Sequence, residues 1–532
     1  MRQPFCLIIY MRMYSKAFAL QAGKGYNEWV KGGLIMSKTL NELAAMLPGS
    51  EIIGDADLVI SDIEHDSRKV TQGAMFVCMT GTRVDGHSFI PQAKENGAVA
   101  IITEKDGVVP EGMSVLKVAD LKKALHVLVP FFHDYPARKM RIIGITGTNG
   151  KTSISYMIRA MLRRMGLRVG LIGTIQVMVE DEVLPIHNTT PDVVDLQKMM
   201  AYMLEKNMDY VVMEVSSHAL DQNRVAGVEF DTVVFTNLTQ DHLDYHKTLE
   251  NYKLAKAKLF AMVSSPEAVK NGKTAVVNID DPAGACMLEH ADCRHMTYAI
   301  NNEADLKAEN IDVLANGAEF DIMTRFGALP LKLKITGIFN VYNVMAAVGA
   351  ALAEGVPSPV IKECMDNFTG VPGRFELVRG GQDFAVIVDY AHTPDGLENI
   401  LKTARQIAKK RIITVFGCGG DRDRTKRPIM GRIAAELSDY IVATSDNPRT
   451  EDPQFILDQV VEGVADGADG RPYEAIIDRR EAIFRAVELA EADDIVIIAG
   501  KGHEDYQILK DKTIHFDDKE VAMEAILAKK EQ

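Results

Sequence analysis

The segment that most restricts what this chain can fold into is Gly144-Ile-Thr-Gly-Thr-Asn-Gly-Lys-Thr152. The continuous apolar run Arg141-Ile-Ile-Gly-Ile-Thr146 that leads into it reads as a buried strand, and a helical pattern from Lys151 to Met165 follows. Strand, glycine-rich loop and helix in that order form a phosphate-binding device. Glycines let backbone N–H groups approach phosphate oxygens, the helix N-terminus adds positive potential, Lys151 reaches the outer phosphates and the Thr152 hydroxyl suits Mg²⁺. The spacing departs from the usual one, because Ile145 stands where the first glycine is normally found and glycines fall at 144, 147 and 150.

A chain of 532 residues exceeds one hydrophobic core and calls for about three domains. The expected fold class is α/β. Residues 36–138 make up a first domain, 139–370 a doubly wound nucleotide-binding domain around the phosphate loop, and 371–532 a third, Rossmann-like α/β domain. Continuous apolar runs such as Tyr210–Met213, Thr232–Phe235, Arg411–Phe416 and Ile495–Ile498 suit parallel strands covered on both faces. Thr39-Leu-Asn-Glu42 reads as a capping box, so the fold starts near Met36. Residues 1–35 show no periodicity. Lys31-Gly-Gly just before Met36 can be encoded as a purine-rich ribosome-binding site, which makes this stretch an untranslated leader, or otherwise a disordered extension.

A net charge of −14 argues against a broad nucleic-acid footprint. The six cysteines contain no C-x-x-C pair and read mostly as buried thiols of a reducing compartment. No apolar run reaches the roughly 18–20 residues of a membrane span, and Phe5–Met11 lacks a nearby cleavage site, so a cytoplasmic chain is expected.

Glu214 and His242 each follow a strand on the side where ligands of open α/β sheets collect, which places both within reach of Mg²⁺. Lys256 shares an apolar helical stripe with Tyr252, Ala255, Leu259 and Phe260, while Lys258 points away. A lysine on such a stripe ordinarily snorkels to solvent.

Gly147-Thr-Asn-Gly-Lys-Thr152 resembles the loop of the family that contains the Mur ligases and folylpolyglutamate synthetase, which form amide bonds through acyl phosphates. Further matches follow in order: His187-Asn-Thr-Thr-Pro191, Glu214-Val-Ser-Ser-His218, Asn237-Leu-Thr-Gln-Asp-His-Leu-Asp244, Gly337-Ile-Phe-Asn340 with Asn343, and Asp389-Tyr-Ala-His-Thr-Pro394. The resemblance spans roughly residues 36–525. It implies an ATP- and Mg²⁺-dependent ligase of peptidoglycan synthesis, hence of cell shape and division, working as a monomer on small molecules. Its expected reaction adds meso-2,6-diaminopimelate to a UDP-linked muramoyl dipeptide.

The resemblance assigns ATP to Gly147, Thr148, Asn149, Gly150, Lys151, Thr152 and Ser153, with Asn340 at the adenine and Arg374, Asp389 and His392 from the third domain. It makes Lys256 a lysine carbamylated by CO₂, whose carbamate joins Thr152, Glu214 and His242 on Mg²⁺; Lys151, Lys256, Glu214 and His242 are then the catalytic set. Ser67, Thr82, Arg83 and Val84 take the UDP end of the substrate. Asn188, Thr189, Thr190, Ser216, Gln222 and Arg224 take its muramoyl dipeptide. Arg422, Asp446, Asn447, Pro448, Arg449, Gly500 and Glu504 read the incoming amino acid, and Asp446-Asn-Pro-Arg449 goes with diaminopimelate in this family. Lysine as that amino acid, a folylpolyglutamate-synthetase-like ligase and a non-catalytic nucleotide-binding regulator are the competing readings.

Overall fold

The computed structural model describes residues 36–81, 84–184, 188–265, 268–314 and 317–531. The expectations for residues 1–35, Thr82, Arg83 and His187 therefore lie outside the described residues. The chain forms two compact units, one of residues up to Gly144 with Leu167–Asp231 and Met262–Lys273, the other of Ile145–Gly166, Thr232–Ala261 and Thr274 onward.

The first unit opens on the capping box. The Thr39 hydroxyl accepts from the Glu42 N–H at 3.2 Å while the Glu42 carboxylate accepts from the Thr39 N–H at 2.7 Å, starting the helix Leu40–Ala45. Thr39→Ala should weaken this turn by about 1 kcal/mol and speed hydrogen exchange of the Glu42 amide about fivefold. A five-stranded sheet follows in the order Glu51–Ile53, Ser114–Lys117, Ala100–Thr103, Ala74–Val77, Asp62–Glu64. All its pairs are parallel except the one made by Glu51–Ile53. The parallel strands are buried almost throughout, which is why they read as unbroken apolar runs. The same unit holds the parallel pair Val169–Ile172 and Tyr210–Glu214, with the hairpin Val177–Val179 and Glu182–Leu184. The helix Val193–Glu205 packs against Leu121–Phe132, and Val193 and Val194 join the core of the five-stranded domain.

In the second unit, Thr232–Phe235, Thr274–Asn278, Arg294–Ala299 and Leu306–Leu314 pair in parallel succession. The antiparallel strands Gly317–Thr324 and Gly327–Leu333 extend the series. The helix Ile338–Ala353 packs on the phosphate-loop helix Lys151–Arg164. Farther along the chain is a six-stranded sheet, in the order Glu376–Leu377, Ala385–Asp389, Ile495–Ala499, Ile412–Cys418, Tyr440–Ser445, Tyr473–Ile476. Alternation in one strand divides its two cores: Ile495, Ile497 and Ala499 meet the helices Pro394–Ile407, Lys426–Leu437 and Pro453–Gly467, while Val496 and Ile498 meet Arg479–Leu489 and Asp518–Lys530. These are mixed and parallel sheets with helices on their faces, the α/β class read from the sequence.

One sequence expectation needs correction. Of the five described cysteines only Cys78 and Cys418 are buried, and Cys286, Cys293 and Cys364 are half-exposed; all five are free thiols. No helix among the described residues is long and apolar enough to cross a membrane.

Candidate active site

The phosphate loop is shaped by two glycines in conformations that L side chains rarely adopt. Gly147 has φ +149° and a Cβ there would lie 1.8 Å from the Thr236 hydroxyl; Gly150 has φ +89° and a Cβ there would lie 2.2 Å from Asn343 Oδ1. The loop is braced from several sides. Thr148 N–H donates to the Asn237 carbonyl at 2.8 Å, Asn149 N–H to Asn237 Oδ1 at 3.0 Å, and Thr236 Oγ1 to the Asn149 carbonyl at 2.7 Å. The Thr148 hydroxyl meets the Tyr252 hydroxyl at 3.2 Å. Lys151 Nζ folds back onto the carbonyls of Gly147 and Thr148, at 2.9 and 2.7 Å. Gly150 caps the following helix without a side-chain hydrogen bond, and Thr152 is buried in its first turn. Thr236 escaped the sequence reading. Only its hydroxyl against Gly147 reveals its part.

The helix Leu249–Val263 carries Tyr252, Lys256 and Phe260 on its buried face and Lys258 on its exposed one. Lys256 is 1% exposed, with Nζ 4.2 Å from the centroid of the Tyr252 ring. Burial, then the neighbouring Lys151, hold its amine well below the ordinary lysine range against an opposing pull from Asp241. This side chain is a buried amine whose charged form is disfavoured, not a surface cation. His242 has φ 54° and Nε2 3.4 Å from Asp241 Oδ2, and its ring stands edge-on to Tyr252 at 5.9 Å. The loop, Tyr252, Lys256 and His242 are thus gathered in one unit. Asn340 lies in the first turn of Ile338–Ala353, donating to the Thr336 carbonyl at 2.8 Å and accepting from Asn343 at 3.1 Å.

In the first unit, Glu214 is fully buried at the end of its strand, accepting from the Thr174 N–H and hydroxyl, both at 2.9 Å. Its backbone carbonyl accepts from Thr190 Oγ1 at 2.8 Å, and Thr190 Oγ1 in turn accepts from Ser216 N–H at 3.1 Å. Thr189 meets Thr174 hydroxyl to hydroxyl at 3.1 Å, and Arg224 donates to the Thr190 carbonyl at 3.1 Å and to Gln222 Oε1 at 3.0 Å. Thr189, Thr190, Ser216, Gln222 and Arg224 therefore form one hydrogen-bonded cluster, with Asn188 exposed beside it. Thr174 is the member that sequence reading missed. In the five-stranded domain Ser67 donates to Gln92 Oε1 at 2.7 Å, and Val84 is exposed.

The loops at the ends of the six-stranded sheet bring the third set together. Arg374 lies over the Tyr390 ring at 5.3 Å, Asp389 accepts from the N–H groups of Phe375 and Ala391 at 2.7 and 2.9 Å, and His392 Nδ1 lies 2.8 Å from the Tyr390 carbonyl. Burial lowers the His392 imidazole below its usual range, which favours its neutral form. Asn447 is the hub of the neighbouring turn: its Nδ2 donates to Glu504 at 2.9 Å and its Oδ1 accepts from Ile508 N–H at 2.9 Å. The buried Lys501 lies 3.2 Å from Glu504, and Gly500 has φ +123° with room for a Cβ only 2.6 Å from Asp446 Oδ2. Arg449, in the left-handed region at φ 53° after Pro448, donates Nη1 to the Gly420 carbonyl at 2.9 Å. Arg422 lies on the exposed adjoining loop and donates to the Asp421 carbonyl at 3.1 Å.

Comparison with known proteins accords with this geometry. Residues 59–133 match the Mur ligase family catalytic domain, 145–351 the Mur ligase middle domain and 373–502 the Mur ligase glutamate ligase domain. The UDP-N-acetylmuramoyl-L-alanyl-D-glutamate--2,6-diaminopimelate ligase of Bacillus cereus is 48% identical over 92% of this chain and 98% of its own length. A solved structure of a ligase of the same name is 34% identical, covers 93% of this chain and all of its own, and superposes with a TM-score of 0.67. The MurF ligase of Thermotoga maritima, solved with ADP, shares the fold at a TM-score of 0.56 and 16% identity over 88% of this chain and 96% of its own. With sequence identity of this extent along nearly the whole length, the chain belongs to the Mur ligase family.

Proposed function

We propose that this ligase joins diaminopimelate, in its meso form, to the D-glutamate carboxylate of UDP-N-acetylmuramoyl-L-alanyl-D-glutamate at the expense of ATP, acting as a cytoplasmic monomer in peptidoglycan synthesis. The observation that carries this reading is the presence in one unit of a braced phosphate loop and of the Asp446–Arg449 turn with its charged, buried neighbours. Relatives with this chain's degree of identity bear the name of that activity.

In this reading Lys151 and the first-turn amides after Gly150 hold the outer phosphates of ATP. The substrate carboxylate attacks the γ-phosphorus, ADP departs, and an acyl phosphate forms. The diaminopimelate amine then attacks the acyl carbon through a tetrahedral oxyanion, and phosphate leaves as the amide bond forms. Asn340 contacts the adenine, and Arg374, Asp389 and His392 add the contribution of the third domain to the nucleotide. The Ser67 region binds the UDP end and the Thr189–Arg224 cluster the peptide. Arg449, assisted by Asp446, Asn447, Glu504 and Arg422, reads the second amino-acid head group of diaminopimelate.

Mg²⁺ fits the donors present. The Thr152 hydroxyl, the Glu214 carboxylate and the His242 imidazole are suitable ligands, and a carbamate on Lys256 would add a carboxylate-like one where an ammonium would repel the ion. The amine form, which burial favours at Lys256, is the species that reacts with CO₂. When bound, Mg²⁺ would neutralise charge that develops on the phosphates.

Phosphate release should require the UDP-muramoyl dipeptide, ATP and diaminopimelate together. Turnover on a folate substrate instead, or nucleotide binding without any phosphate release, would overturn the reading in favour of the two competing ones.

A further inference from the structure

The helix Val193–Glu205 starts directly after the Asn188–Thr190 segment and is capped by Asp192, whose carboxylate accepts from Val194 N–H at 2.9 Å. In its second turn stands Lys198, with a side chain 9% exposed. Its Nζ lies 2.7 Å from Glu64 Oε2 and 3.0 Å from Asp62 Oδ2. Both acids belong to the edge strand of the five-stranded sheet, and that strand leads straight into the turn that carries Ser67. The remaining oxygen of Glu64 accepts from the N–H groups of His65 at 2.8 Å and Asp66 at 2.9 Å. One carboxylate therefore holds the Ser67 turn on one side and the lysine of the helix on the other.

The charges on either side of this seam are complementary. Lys69 on the sheet side lies 3.7 Å from Asp195 on the helix, and His65 Nε2 lies 3.7 Å from Asp192. Around them the contact is apolar, with Val193 and Val194 in the core cluster of Leu125, Leu128 and Val129. Apolar contact is non-directional and tolerates sliding. A buried lysine between two acids adds little stability compared with apolar residues of the same volume, because desolvation offsets most of the attraction, yet it admits only one register.

We propose that Lys198 is a positioning residue for substrate binding: through Glu64 and Asp62 it sets the spacing between the Ser67 turn and the Thr189–Thr190 segment. This rests on the assignment of those two segments to the UDP and peptide ends of one substrate. A ligand that occupies two linked subsites binds with an effective-concentration advantage that depends on their separation matching its own span. Loosening the seam removes that advantage for the whole substrate and leaves a ligand of one subsite unaffected.

The test uses the full chain with Lys198→Met, Lys198→Arg and the neutral triple variant Asp62→Asn/Glu64→Gln/Lys198→Met. The triple variant avoids stranding two buried carboxylates and keeps an oxygen for the His65 and Asp66 N–H groups. Calorimetric binding of UDP-muramoyl dipeptide and of UDP alone is measured beside steady-state kinetics. In both Met-containing variants the Kd and KM for the whole substrate should rise about tenfold or more. The Kd for UDP, the KM for ATP and kcat at saturation should stay within about twofold, and Lys198→Arg should recover most of the affinity. A folded triple variant that binds the whole substrate as the unmodified chain does overturns the proposal. So does a loss of UDP affinity in proportion, which would confine the lysine to the Ser67 turn, and so does failure of the triple variant to fold, which would make the seam a stability element. Absence of UDP binding by the unmodified chain would instead refute the substrate assignment itself.

Discussion

Lys256→Ala should reduce amide synthesis on the order of 10³-fold or more, the loss of several kcal/mol of charge stabilisation around the transferring phosphoryl group. Affinity for the UDP-muramoyl dipeptide should stay within about twofold, since the substitution leaves the proposed subsites at Ser67 and Thr189–Arg224 untouched. The side chain is buried against Tyr252, so alanine also opens a cavity. Lys256→Met separates the two effects because it preserves most of the volume and removes only the amine. Both variants should be inactive. The unmodified enzyme should lose activity in CO₂-free buffer and regain it on addition of bicarbonate, while neither variant responds. The direction of the pKa shift matters here: the amine, not the ammonium, attacks CO₂, and burial, then Lys151, depress the Lys256 pKa, which favours the amine. Full turnover by Lys256→Met would remove the carbamate from the mechanism.

The two faces of the helix bearing Lys256 show what a sequence can reveal about such a site. Period 3.6 places Tyr252, Lys256 and Phe260 together and Lys258 opposite, and the structure has them so. The downward shift of the buried lysine comes first from burial and then from Lys151, 105 positions earlier in the chain, and no local pattern carries that second contribution. The phosphate loop was legible for the converse reason. Its chemistry resides in consecutive backbone groups, and strand, glycines and helix all lie within one short stretch. Thr236, which fills the space a Gly147 side chain would need, looked like an ordinary strand-end threonine. The parallel strands announced themselves as unbroken apolar runs, whereas Gly317–Thr324, buried on alternate residues, did not. The seam at Lys198 was hidden altogether: Lys198 and Glu64 are 134 residues apart, and each alone resembles a solvated charge on an amphipathic element. The cysteine expectation failed on a general tendency. Free cysteines are among the most buried residues on average, but nothing local to Cys286, Cys293 or Cys364 required burial.

Arg449→Ala should raise the KM for diaminopimelate about 100-fold, the value of a charge-assisted pair worth roughly 3 kcal/mol, with little change in the KM for ATP. Diaminopimelate and lysine share one amino end and differ in the carboxylate at the other. A guanidinium can pair with that carboxylate through two parallel N–H bonds, whereas lysine leaves the arginine without its partner. The preference for diaminopimelate over lysine should therefore narrow by a similar factor, chiefly through loss of the favoured substrate. The side chain has a second task, because Nη1 holds the Gly420 carbonyl in a turn whose left-handed backbone, at φ 53°, needs that support. Arg449→Lys discriminates between the two tasks. It preserves the charge and nearly the same backbone propensity but not the planar fork, so it should recover folding of the turn and still lose at least about tenfold in preference. If both variants retain the full preference, the carboxylate is read elsewhere, and Arg422 on the exposed neighbouring loop becomes the residue to change next.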